Sequence, residues 1–294
     1  MSQKNPQILV TGAKGMLGAL LMRMLPERGI DAYKADLPEH DLTDPDHTKT
    51  LIADCNPTHI IHCAAYTAVD KAEEDIEMAQ KVNVEMTRNL AEACRDKKIW
   101  LLMVSTDFVF DGKAETPYQP EAPTNPLSVY GRTKRDAELV LASTLTNWQL
   151  ARTAWLYGPG KRNFVSAMYE RLHKGMHLKV VDDQQGCPTC TLDLAPRLID
   201  LVLTEKAGPY HIVNQGQTTW CGLTKKIAEF GGFDPEKVTP IATEEYPVPA
   251  NRPKYSVLDC SKTWNLGIEP TRPWEEALAE YIDYLKTDYI EGKA

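Results

Sequence analysis

Tyr130 and Lys134 stand four residues apart in SVYGRTKRDAEL, residues 128–139. On a helix that spacing brings a phenol and an ammonium to one face. The cation favours phenolate and draws the tyrosine pKa down from about 10 toward neutrality. A tyrosine tuned in this way hands a proton to a carbonyl that is being reduced. Spacing alone does not choose this pair, because Tyr157 with Lys161 and Tyr289 with Lys293 repeat it. Gly158, Pro159 and Gly160 argue against a helix between Tyr157 and Lys161. Tyr289 and Lys293 fall in the last six residues, where chain ends loosen. Tyr130 and Lys134 alone open a run of helical character.

Two further motifs give that pair a setting. STDFVFDG places Ser105, Thr106 and Asp107 at the C-terminal end of an apolar strand, the edge at which open parallel sheets bind ligands. VTGAKGMLG sets Gly12, Gly15 and Gly18 between a strand and a helix, the context a dinucleotide-binding loop requires. Glycine permits the tight turn and lets backbone approach a pyrophosphate, and the helix that follows offers free N–H groups. Asp36, at the end of the second strand, would accept a hydrogen bond from a free ribose 2′-hydroxyl and favour NADH. Lys14 and Lys34 lie close enough in sequence to tolerate a 2′-phosphate, so NADPH and NADH both stay open.

These residues need a scaffold, and the chain supplies strand and helix in alternation. QILVT, IDAYKAD, THIIHCAA, IWLLMVSTDFVF and NWQLARTAWLYG read as strands. Met16, Leu17, Leu20, Leu21 and Leu25 recur at helical spacing. Asp44 before Pro45 is a cap and first-turn pair for a second helix. EMAQKVNVEMTRNLAEACRDKK reads as one long amphipathic helix. The alternation predicts an α/β doubly wound parallel sheet of Rossmann type. Residues 1–157 form the NAD(P)-binding domain in this reading, with later strands near 177–214 added to it. Residues 158–294 are mainly a smaller, interleaved substrate-binding region. Two proline-rich loops, 116–126 and 246–253, are surface connections or a rim to the site.

The bulk properties exclude several classes. A net charge of −8 argues against general nucleic-acid binding. The N-terminus has no signal-peptide pattern, and the apolar run IWLLMV is far short of the ~20 residues of a membrane span. A cytoplasmic protein with reduced thiols is expected. Cys187 and Cys190 have the spacing of a redox dithiol or half a zinc site, but no second pair accompanies them. No metal is expected.

Taken together, GAKGMLG, HCAAYTAVDKAE, STDFVFDG, YGRTK, RTAWLYG, GCPT and RPKYSVLDCSK resemble the extended short-chain dehydrogenase/reductase superfamily. Within it the chain is most similar to the dTDP-4-dehydrorhamnose reductases. The resemblance implies reduction of the C4 keto group of a nucleotide-linked deoxysugar by NADPH or NADH, in a monomer or homodimer. It implies Thr106, Tyr130 and Lys134 as the catalytic set. Gly12, Gly15, Met16, Leu17 and Gly18 would cradle the cofactor, with Asp36, Asp41 and Leu42 at its adenosine end. Cys63, Ala64, Ala65 and Tyr66 would line its path past the third strand. Asp107, Phe108 and Trp155 would meet the sugar, and Asn163 and Arg252 its diphosphate. Thr106-Asp107-Phe108 lacks the glutamate of the sister dehydratases. Lys14 and Met16 in the glycine loop, and Tyr255 after RPK, depart from the common pattern.

Overall fold

Short apolar runs become the strands of one parallel sheet in the computed structural model, which describes residues 5–290. Its strands in chain order are Gln7–Thr11 (β1), Asp31–Ala35 (β2), His59–His62 (β3), Trp100–Thr106 (β4) and Trp148–Thr153 (β5). Five short strands follow that include one more member: Leu156–Tyr157 (β6), Leu178–Val181 (β7), Gln185–Gly186 (β8), Thr189–Cys190 (β9) and Gly208–His211 (β10). Strand β10 closes the sheet in the order β10-β5-β4-β3-β1-β2, every pair parallel. The order reverses between β1 and β3, and a crevice opens at such a switch point beyond the strands' C-terminal ends. The doubly wound architecture expected from the alternation is the one that forms.

Alternate residues of each strand face opposite layers. Ile8 and Val10 of β1 pack with Met16–Glu27 (α1) and with a late helix of the chain, while Leu9 packs on the other face with Pro45–Cys55 (α2). Asp44 caps α2, its Oδ1 accepting from the Asp46 and His47 amides at 2.8 and 3.0 Å. The stretch expected as one long helix is three pieces after the short Val69–Ala72 (α3): Ile76–Gln80 (α4), a π-helical turn at Lys81–Glu85, and Met86–Cys94 (α5). Within the π turn, the Asn83 side chain is drawn inward to accept from the Tyr66 amide at 2.8 Å and to donate to Thr133 Oγ1 at 2.9 Å. Such bulges concentrate at functional sites.

The helix that carries Tyr130 is Val129–Thr144 (α6). Ser128 Oγ accepts from the Gly131 amide at 3.1 Å and starts it. Gly131 is required by contact, since a Cβ there would lie 2.2 Å from the Phe108 carbonyl oxygen and 2.9 Å from Pro126 Cβ. The first turn of α6 is thereby pressed onto the 3₁₀ turn Asp107–Val109 that ends β4.

A second core gathers Phe164–His173 (α7), Trp220–Gly231 (α9) and Trp274–Ile290 (α11) around Tyr157, Leu178, Ile227 and Leu278. The intervening Thr191–Leu203 (α8) instead covers the main sheet beside α1. Strands Thr218–Thr219 (β11) and Val238–Ile241 (β12) pair with β8 and β7, and Ser261–Trp264 (α10) packs near β10. Among the described residues no helix is long and apolar enough to cross a membrane.

Gly131→Ala should cost about 1–3 kcal/mol, the range for forcing atoms into a filled space. Urea unfolding checks it, and an unchanged midpoint would show that α6 can slide away from Phe108.

Candidate active site

The C-terminal ends of β1, β3, β4 and β5 open into a cleft of ≈ 790 Å³ that Thr106, Tyr130 and Lys134 all line. Tyr130 stands half-buried in the first turn of α6, with the Phe108 ring edge-on at 5.5 Å. Thr106 ends β4 beside the phenol, and its hydroxyl favours the ionised form. The Thr106 hydroxyl also accepts from the Phe108 amide at 3.2 Å and lies 3.0 Å from Asp107 Oδ1. Lys134, one turn along, is 3 % exposed, and its Nζ donates to the Val104 carbonyl at 2.9 Å.

Electrostatics differ from the expectation drawn from spacing. Burial pushes the Tyr130 phenol up to about 12; Thr106 draws it back and the Asp107 charge adds to the rise. Burial draws Lys134 down to about 8, opposed by the Glu138 charge and by Cys63. The four-residue spacing does set both groups on one face. The ammonium is nevertheless anchored at the Val104 carbonyl, and burial dominates the phenol. Tyr130 is therefore held protonated, the state a proton donor needs.

The cofactor end of the cleft is made of backbone. Gly12 has φ +64°, and a Cβ there would lie 2.7 Å from the Ala64 amide nitrogen. A Cβ on Gly18 would lie 2.1 Å from the Gly12 carbonyl oxygen. Gly15 precedes α1 with no side-chain cap and no acidic residue in the first turn, so the helix amides remain open to an anion. Met16 and Leu17 begin that helix along the cleft wall. These features fit a dinucleotide. Asp36 accepts from the Lys14 amide at 2.6 Å and the Leu37 amide at 2.8 Å. The Lys14 ammonium pairs with Glu39 at 2.7 Å and donates to the Leu37 carbonyl. Asp41 and Leu42 lie beyond Asp36 on the same wall, and the Thr43 side chain holds the Asp41 carboxyl below its usual range. Cys63, Ala64 and Ala65 line the path after β3, but Tyr66 does not. Its ring packs with Ala72, Ala79 and Val129, and its hydroxyl points to Asp75 at 3.3 Å.

On the opposite side, Asp107, Phe108, Trp155, Asn163 and Arg252 reach the cleft. Trp155 has φ +49° and stacks on Trp220 at 3.6 Å and 7°. Asn163 caps α7, accepting from the Ser166 amide at 3.1 Å and donating to Tyr281 Oη at 2.9 Å. Arg252 grips Asp70 with two hydrogen bonds, at 3.0 and 2.7 Å. Both side chains expected at a diphosphate thus have protein partners. Loop 246–253 reaches the cleft through Arg252, whereas loop 116–126 contributes none of its lining. The Cys187 and Cys190 thiols are buried and free, both pushed up to about 12 by that burial, which keeps them from reacting as thiolates. Lys293 of the third tyrosine–lysine pair lies outside the described residues.

Residues 6–287 match the family described as the RmlD substrate binding domain. This chain belongs to that family, the dTDP-4-dehydrorhamnose reductases. It is 43% identical to a dTDP-4-dehydrorhamnose reductase of Streptomyces griseus, over 94% of this chain and 92% of that protein. It is 37% identical to a dTDP-4-keto-6-deoxy-D-glucose reductase of Streptomyces niveus, over 95% of this chain and 98% of that one. The crystal structure of dTDP-4-dehydrorhamnose reductase from Bacillus anthracis in complex with NADP superposes with a TM-score of 0.91 at 32% identity, covering 95% and 99% of the two chains.

Several residues around this reductase-family site escaped the sequence reading. Asn83 ties the segment after β3 to α6, Asp70 holds Arg252, and Trp220 backs Trp155. Glu138 and Arg152 form a buried ion pair at 2.7 Å behind Lys134. Glu138 alone had a legible signal, since it continues the four-residue spacing from Tyr130 through Lys134. Among the described residues no His, Cys, Asp and Glu cluster is arranged to hold a metal.

Asp107 provides a pH test. Burial pushes its carboxyl up to about 6, opposed by the nearby Ser256 side chain, by Thr106 at 3.0 Å from Oδ1 and by nearby amides. Among the described residues Oδ2 has no hydrogen-bond partner. An unfolded aspartic acid titrates near 3.9, so the folded chain binds this proton more tightly. That contribution is complete below about pH 4 and is lost as pH rises through 6. Asp107→Asn should raise the melting temperature at pH 8 relative to the parent and leave it little changed at pH 4. An equal shift at both pH values would refute this.

Proposed function

We propose that the protein reduces the C4 keto group of dTDP-4-dehydro-L-rhamnose to give dTDP-L-rhamnose, a precursor of cell-surface polysaccharide. One observation carries this reading: Tyr130, Thr106 and Lys134 line the same cleft as a glycine cradle built for a dinucleotide. Family membership and the names of the similar reductases support the substrate class.

NADPH or NADH, when bound, supplies the hydride to C4. The residues of this chain handle everything else. Thr106 and Tyr130 hold the keto oxygen, and Tyr130 gives it the phenolic proton as charge develops there, leaving phenolate. The Lys134 ammonium stabilises that phenolate and holds the ribose hydroxyls of the cofactor. The glycine loop and the open amides of α1 hold the pyrophosphate, with Asp36 and Lys14 at the ribose. Phe108 and the Trp155–Trp220 stack confine the sugar and exclude water. Arg252 meets the diphosphate on release from Asp70, and Asn163 keeps α7 in place beside it. The reaction belongs in the cytoplasm, a setting that suits seven free cysteines.

Tyr130→Phe should lower kcat about 10²- to 10⁴-fold while leaving KM for the nucleotide sugar near its parent value. Oxidation of NADPH with dTDP-4-dehydro-L-rhamnose measures it. No turnover by the parent protein, or full turnover by the variant, would sink the assignment.

A further inference from the structure

Lys134 is a cation nine-tenths hidden from water, and among the described residues no anion touches it. Among the described residues its side chain makes one hydrogen bond, to the neutral Val104 carbonyl at 2.9 Å. The charged and titratable groups packed around it come from four elements. His62 and Cys63 face it from β3 and its end, and burial leaves both neutral: the imidazole is drawn down to about 3 and the thiol pushed up to about 12. Tyr130 on α6 is a neutral phenol. Asp107, from the turn after β4, acts on Tyr130. Arg152 on β5 is a second buried cation. Glu138, one turn past Lys134 on α6, is the standing negative charge that favours the ammonium.

The carboxylate of Glu138 is nonetheless fully engaged elsewhere. Arg152 takes both oxygens, Nε at 2.9 Å from Oε1 and Nη2 at 2.7 Å from Oε2. Ser105 Oγ donates to Oε1 at 2.6 Å. Arg152 is itself held by the Pro120 carbonyl at 2.8 Å and by the Phe110 ring at 5.1 Å. Its Nη1 lies 3.4 Å from His211 Nε2, which accepts because burial keeps that imidazole neutral. Glu138 is so placed that its charge reaches Lys134 while its oxygens do not. An ammonium has three donors, and the one spent on Val104 leaves two for the cleft.

We propose that Glu138 is a positioning residue that keeps the Lys134 ammonium charged, and that Arg152 withholds its carboxylate from direct pairing so that the ammonium's donors stay free for ligand. This rests on the role given to Lys134 above. Glutamine at 138 would keep the shape and most of the hydrogen bonds but remove the charge, leaving Lys134 beside an unbalanced Arg152. Methionine at 152 would do the reverse, removing a like charge and freeing the carboxylate.

The test follows the ¹³Cε resonance of Lys134 against pH in lysine-labelled protein without cofactor, beside the pH profile of kcat. In Glu138→Gln the Lys134 midpoint should fall by about one pH unit or more, the size expected for losing a nearby opposite charge. In Arg152→Met it should rise, and Glu138→Asp, which keeps the charge, should restore most of the parent value. The high-pH limb of kcat should follow the resonance in each variant, which a purely structural loss would not produce. Midpoints that stay put, or that move together in the Gln and Met variants, overturn the inference. Should Glu138→Gln fail to fold, the direction of the Arg152→Met shift decides alone. A resonance that moves while the kinetic limb stays would uphold the charge relation and refute the catalytic reading of Lys134.

Discussion

The constraint around which this site is built is a lysine ammonium taken out of water at the end of a parallel strand. Removing such a charge from solvent costs several kcal/mol unless partners replace the lost hydration. Here two things replace it: the Val104 carbonyl at the ammonium and the Glu138 charge one helical turn away. Each demands a particular placement of α6 against β4 and β5. The helix must enter at Ser128, lie flat on the turn at Phe108 and keep Tyr130, Lys134 and Glu138 on its inner face. Gly131 makes that approach possible, since any side chain there would meet the Phe108 carbonyl. The register Ser105↔Arg152 between β4 and β5 then puts both partners of Glu138 side by side.

The same constraint connects the site to the distant part of the chain. Arg152 reaches from β5 to the Pro120 carbonyl and to His211 on β10, and His211 Nδ1 in turn lies 3.1 Å from the Asp259 carbonyl. Loop 116–126 does not line the cleft, yet it is bonded to the residue that holds Glu138. A proline-rich segment suits that task because its backbone has few conformations to lose. The second core, built on α7, α9 and α11, supplies the other wall through Asn163, Trp220 and the residues around them. The strained backbone at Trp155 is where the chain leaves the sheet for that wall, and the stacked Trp220 and the close Gly186 hold it there.

What could be read from the sequence was whatever depends on local period and turn chemistry. The strands of the main sheet, the Asp44 cap, the glycine loop and the helix at Tyr130 are all set by neighbours within a few residues. The expected long helix is interrupted at Lys81–Glu85 by a π turn in which Asn83 bonds to Tyr66, a contact no periodicity announces. Tyr66 shares a motif with Cys63, Ala64 and Ala65 but turns away, since an apolar nook of Ala72, Ala79 and Val129 receives its ring. Asp70 and Arg252 are 182 residues apart, and their bidentate pairing is a property of the fold alone. Helix α11 had an apolar face but no neighbour in sequence to reveal what it covers.

The pKa of Tyr130 shows why spacing and electrostatics must be argued separately. Four residues along a helix guarantee a shared face, not a short distance between two polar tips. The lysine tip is held at the Val104 carbonyl, and the phenol is left in surroundings that favour its neutral form. For a proton donor this is an advantage. A phenol already near neutrality would spend part of its time ionised and unable to donate, whereas one held at about 12 is loaded at any physiological pH. The ammonium then matters after the proton has left, when a phenolate has formed close to a cation that Glu138 keeps charged. On this account the lysine stabilises the product of the proton transfer rather than preparing its donor.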